Sequence, residues 1–166
     1  MINLVPITGT FMGILGGYYL YLSARVIKER VRLQISVGDG TSNVVNALIA
    51  SQKSGLPIDE KELPKKYTDL VGAIRSHANF GEYVPMVGVL ALILELHGAN
   101  PLFLKTMLGL FTAARVLHVE FGMKAKNYLR WGRVTGTMIT FTTIALSSIG
   151  CIYLSNEHTF KALLKH

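Results

Sequence analysis

The string Arg75-Ser76-His77-Ala78-Asn79-Phe80-Gly81-Glu82 concentrates ionisable chemistry next to a run, Val84 to Leu94, that is almost wholly apolar. Such a run reads as part of a membrane-crossing helix. A charged side chain inside one costs about 2.5–3.5 kcal/mol on insertion scales, so several on one helix need compensation or a purpose. Arg75, Asn79 and Glu82 are spaced i, i+4, i+7. On a helix they fall within about 60° of one another, whereas His77 points toward a different neighbour. One reading is an internal salt bridge that holds helices together. The reading favoured here is a polar pocket inside the bundle, because intramembrane ionisable groups are functional by default.

A second segment repeats the device. Arg115, His118 and Gly122 are spaced i, i+3, i+7 and share a face, with Glu120 on another. Arg115 and Glu82 are expected to pair across helices, since buried charges need partners. Beyond them, Arg130-Trp131-Gly132-Arg133 brings two more cations and an interfacial tryptophan to the same membrane face. The sum is a cation-rich cavity whose ligand should be anionic. Arginine forks suit carboxylates, and Glu82 suits an amine on the same ligand. A zwitterionic peptide with several carboxylates fits that pattern. If it carried a thiol, a nearby arginine would favour the nucleophilic thiolate.

The elements that position these residues follow from the hydropathy pattern. Half of the 166 residues are apolar, 16% are charged, and the net charge is +7. Soluble domains carry about 25% charged residues, so lipid is part of the solvent. The basic residues gather at the ends of apolar stretches, as anionic headgroups favour, which argues against nucleic acid. Four segments are long enough to cross, at about 4–27, 70–96, 102–121 and 134–154. They predict an all-α, integral membrane four-helix bundle, a single domain over 1–166. A polar insertion at about 41–68 separates the first two helices, with a short helix expected at Ser42 to Ser51. The turn His97-Gly98-Ala99-Asn100-Pro101 separates the next two, Pro101 opening the helix that follows. Charge bias puts both basic connections on the cytosolic side, with both termini opposite. The first apolar run lacks a basic flank and a small-residue cleavage site, so it reads as a retained helix. Cys151 reads as a small core residue, and no metal-ligand spacing is present.

Arg75-Ser-His77-Ala-Asn79-Phe80-Gly-Glu82-Tyr83-Val-Pro85 closely resembles the R-A-H-x-N-x-x-E-x-x-P signature of the MAPEG family, the membrane-associated proteins in eicosanoid and glutathione metabolism. Val37-Gly38-Asp39-Gly40, Arg115-Val-Leu-His118 and Arg133-Val-Thr-Gly136-Thr137 resemble its bacterial-type branch. The resemblance covers nearly the whole chain, and the insertion is its main departure. It implies a four-helix protomer, a homotrimer, and glutathione as cosubstrate, bound between protomers near the cytosolic face. By position it implies Arg75, His77, Asn79, Glu82 and Tyr83 as glutathione contacts, with Arg115 and His118 beside them. It adds Arg30, at the end of the first helix, as a carboxylate partner. The thiol-activating arginine falls at Arg130 or Arg133, with Arg133 preferred. A tyrosine that follows the third-helix motif in several relatives is replaced here by Phe121 or Gly122.

Two functions follow from the resemblance. One is a membrane-bound glutathione transferase or peroxidase-like enzyme, its thiolate acting on lipophilic electrophiles or lipid hydroperoxides. The other is a noncatalytic membrane subunit or scaffold, with the insertion docking a partner protein. A channel is disfavoured, because the polar residues cluster at one end and Val84 to Leu94 offers no polar path. The family default for location is the endoplasmic reticulum, with a mitochondrial membrane as the alternative.

Overall fold

A computed structural model describes residues 4–55, 62–123 and 131–158. The described chain is all-helical: α1 (Pro6–Leu33), α2 (Thr41–Ser54), α3 (Glu62–Leu96), α4 (Pro101–Leu117), a π-helical turn (His118–Met123) and α5 (Trp131–Ser155). This is the expected membrane helical bundle, its fifth α-helix being the short α2 in the polar insertion, over the expected Ser42 to Ser51. Three helices among the described residues are long and apolar enough to cross a membrane: Leu63–Leu96, Pro101–Met123 and Trp131–Ser155. The expected first crossing does not meet that standard. Its α1 is long enough, but Gly9, Gly13, Gly16 and Gly17, with Tyr18, Tyr19 and Tyr21, dilute the apolar side chains.

Several helix ends are set by local chemistry. Asn100 caps α4, its side chain accepting from the amides of Leu102 (2.8 Å) and Phe103 (3.2 Å), and Pro101 occupies the first turn, where its missing N–H costs nothing. Ahead of it α3 closes on Gly98 at φ 76°, while the Ala99 amide reaches back to the Leu94 carbonyl at 2.9 Å. That left-handed closure is the role a glycine fills at a helix C-terminus. Within α3, Pro85 cannot donate to the Gly81 carbonyl, so the ladder is interrupted beside the polar string.

The chain divides into two compact units. The first comprises residues 1–18 and 80–166. In it the start of α1 is tied to the end of α3 by Glu95, whose two carboxylate oxygens accept from the amides of Ile7 (2.9 Å) and Thr8 (2.7 Å). A carboxylate on the first amides of a helix satisfies orphan donors and meets the positive end of its dipole. α4 and α5 run antiparallel and close together. Gly132, Gly136, Thr140, Thr143, Ser147 and Cys151 form the buried stripe of α5. A Cβ at Gly136 would lie 2.7 Å from the His118 Cβ and 2.8 Å from the Ala114 carbonyl oxygen. In lipid, helices gain adhesion by such close backbone approach and by small hydroxyls.

The second unit comprises residues 19–79. Its core is Ile35, Tyr67 and Leu70, flanked by Leu33, Val44, Leu63 and Ile74. The segment expected as loop after Asp59 is therefore the first turns of α3 from Glu62 onward. α2 lies against this core through Val44 and has no buried residue of its own.

Candidate functional site

The polar string sits, as expected, on one continuous helix, α3. Arg75 and Glu82 are exposed and Asn79 is half-buried. The ion pairs among the described residues are Arg32–Glu29 and Arg32–Asp69, so neither Arg75 nor Glu82 is consumed by one. Helical spacing carries Arg75 and Glu82 to the same side of α3.

Around the first unit's core, the structure brings several expected residues together. Arg115 is 1% exposed. Its guanidinium carbon lies 5.5 Å from the Tyr83 ring centre and 5.9 Å from that of Phe80, and it donates to Thr140 Oγ1 at 3.4 Å. Two aromatic faces and a hydroxyl thus surround the cation, an arrangement that strengthens as water is excluded. The expected Arg115–Glu82 ion pair is not formed, because Glu82 lies at the exposed surface of α3 while Arg115 turns inward. Arg115 is placed to hold Tyr83 and Phe80 on α3 rather than to present its charge to solvent. Tyr83 in turn lies 6.0 Å from Phe141 of α5.

The π-helical turn follows directly. π-turns are rare and are frequently found at functional sites. His118 opens it, 3% exposed, with Nδ1 buried and lacking a hydrogen-bond partner, and its ring interacts with the Arg133 backbone. Glu120 accepts a hydrogen bond from the Tyr18 hydroxyl at 3.0 Å, and Tyr18 lies 5.5 Å from Phe80. Gly122 meets the start of α5 so closely that a Cβ there would lie 2.7 Å from the Arg133 nitrogen. Arg133 is thus held beside the turn, near the N-terminal end of α5, where the helix dipole adds positive potential. Arg130 lies outside the described residues.

In the second unit the expected residues are dispersed. His77 stacks on Tyr19 at 4.4 Å, its Nε2 lying 3.0 Å from Ser23 Oγ. Its separate direction from Arg75 was expected from spacing. Arg30 donates to the Ser36 carbonyl at 3.0 Å, so it closes the turn after α1. Arg75 feels the Asp39 charge electrostatically.

Residues that carry the site without being anticipated are Tyr18, Phe80 and Thr140. Thr140 had a signal, since it belongs to a small-residue stripe at three- and four-residue spacing. Tyr18 had none, because its partner Glu120 is 102 residues away. No group of histidine, cysteine and carboxylate side chains that could hold a metal occurs among the described residues.

The MAPEG family model matches residues 8–153. The chain belongs to the MAPEG family. The match spans nearly the whole chain and runs through both compact units. The family includes glutathione transferases and related membrane proteins. No curated protein and no solved structure matches the chain. For a MAPEG protein the placement of Tyr83 and Arg115 has a ready meaning: the motif residue Tyr83 is positioned by a buried cation on the neighbouring helix.

Proposed function

We propose that this MAPEG protein is a membrane-bound glutathione transferase or peroxidase-like enzyme. The observation that carries the reading is the pair of exposed charges on α3. Arg75 and Glu82 are exposed on one helix, outside the ion pairs found among the described residues, at the spacing of the family signature. Charges left at a membrane helix without a partner are expected to serve a ligand. The family pattern offers Arg75, Asn79, Glu82 and Tyr83 as glutathione contacts and Arg30 as a carboxylate partner. Arg133, near the start of α5, is the thiol-activating residue. Its charge favours the thiolate, which attacks an electrophilic carbon of a lipophilic substrate and expels the leaving group. The assembly is a homotrimer with glutathione between protomers, in the endoplasmic reticulum membrane. Purified protein should conjugate a generic aryl halide with glutathione. Absence of glutathione binding at millimolar concentration would sink the reading.

A second reading has its own observation. α2 has no buried residue, and Val45 and Ile49, one turn apart, are 47% and 45% exposed. A noncatalytic subunit would use that helix to dock a partner. Removal of Thr41–Ser54 should then release the partner while leaving glutathione conjugation, if any, unchanged.

A further inference from the structure

We infer that the C-terminal half of α1 carries a binding groove for the phosphate of an anionic phospholipid, built on Arg25 and Lys28. A groove of about 340 Å³ is lined by Tyr21, Ala24, Arg25, Lys28 and Glu29, which recur at three- and four-residue spacing along one side of the helix. All of them belong to the second unit.

The groove has an unmet donor. Arg25 Nη1 is buried and has no hydrogen-bond partner. A guanidinium N–H removed from water without an acceptor is costly, and an anion in the groove offsets that cost by pairing with the charge of the same guanidinium, whose side chain lines it. The one acid on the lining does not do so. Glu29 Oε2 is taken by Arg32 at 2.6 Å, and neither Arg25 nor Lys28 joins an ion pair among the described residues. Lys28 is exposed and adds a second positive charge to the same side.

The depth identifies the anion. No acidic or basic side chain precedes Arg25 in the sequence, and three follow by Arg30: Lys28, Glu29 and Arg30, with Arg32 two residues later. Arg25 therefore marks the passage from the apolar part of α1 to its charged end, where headgroup phosphates lie. Beside the groove, Leu20 and Ile27 are 71% and 61% exposed and Tyr21 is 45% exposed. Exposed aliphatic side chains with a tyrosine at the boundary suit acyl chains and the interface. An acidic peptide would leave those aliphatics in water; a phospholipid covers them and brings its phosphate to the arginine fork.

The test uses the full chain in a neutral detergent, with lipid retention read by native mass spectrometry. Phosphatidylglycerol, phosphatidylcholine and inorganic phosphate are added separately. Wild type should retain phosphatidylglycerol over phosphatidylcholine, and Arg25→Gln should lower that preference about fivefold, the worth of one juxtamembrane cation. Lys28→Gln removes an exposed charge without touching the fold. It should lower the preference about threefold, and it decides the matter if Arg25→Gln fails to insert. Lys53→Gln, on α2, should change nothing. An unchanged preference in Lys28→Gln, an equal loss in Lys53→Gln, or retention of inorganic phosphate in place of lipid would each overturn the site. So would displacement of the lipid by glutathione, which would give Arg25 to the peptide instead.

Discussion

At the residue scale, Arg115 shows how a charge is kept inside a membrane helix. Its neighbours are Tyr83, Phe80 and Thr140 rather than a carboxylate. Removing the side chain leaves a cavity between helices, so Arg115→Ala should lower stability in detergent by about 2–4 kcal/mol. Arg115→Met keeps most of the volume and removes the buried charge, and should cost about 1 kcal/mol or less. Thermal unfolding of the two variants checks the order; equal losses would mean that charge, not packing, is what Arg115 supplies. Glu95 is the complementary case, an acid held by two amides at the start of α1. Glu95→Gln keeps the shape and loses the charge–dipole attraction, so a loss of about 1 kcal/mol is expected by the same measurement. Arg115 and Glu95 differ in how far they could be read in advance. The isolation of Arg115 in an apolar run signalled a buried cation, but its aromatic partners sit on another helix and no local rule links them. Glu95 ends an apolar run and gave no sign that it caps a helix almost ninety residues earlier.

At the element scale, α4 and α5 are held by the absence of side chains. A methyl group at Gly136 would collide with His118 and the Ala114 carbonyl. Gly136→Ala should therefore cost about 1–3 kcal/mol and move His118, which cysteine cross-linking between α4 and α5 would detect. Unchanged cross-linking and stability would show that the two helices have room to separate. α2 is governed by a different force. The Asp39 carboxylate accepts the Thr41 amide at 3.0 Å, and hydrogen bonds from Thr41 hold its carboxyl below the usual carboxylate range. A lowered value means that the bond stabilises the fold above the ordinary value of about 3.9 and is lost as pH falls through the folded one. Protection of the amides in the first turn of α2, measured as exchange relative to the intrinsic rate, should fall as pH drops below about 4, and Asp39→Ala should abolish that fall. Much of this layer was legible. Asn100-Pro101 announced α4, and Ser42 to Ser51 announced most of α2. The start of α3 was not legible: the segment is expected as part of the polar insertion, and Leu63, Tyr67, Leu70 and Ile74 gain their meaning only from the core they fill. Pro64 reads as a breaker until it is placed in a first turn, where it is tolerated.

At the scale of the whole molecule, the exposed charges of α3 and the family match support the proposed glutathione reading. A ligand that binds only the folded protein stabilises it by mass action, about 2.7 kcal/mol at about 100 times its Kd. Glutathione should therefore raise the unfolding midpoint of the wild type in detergent. Arg75 is exposed, so Arg75→Ala is not expected to disturb the fold. Removing one charged hydrogen-bond partner costs about 2–3 kcal/mol of binding. At the same glutathione concentration the stabilisation should then shrink to about 0.3–0.9 kcal/mol. The apo midpoint and the mass in detergent should not change, which separates loss of the ligand from loss of the fold. An equal glutathione shift in Arg75→Ala would remove the α3 face from the reading, whatever conjugation the protein shows. No shift in either protein would instead favour the noncatalytic subunit.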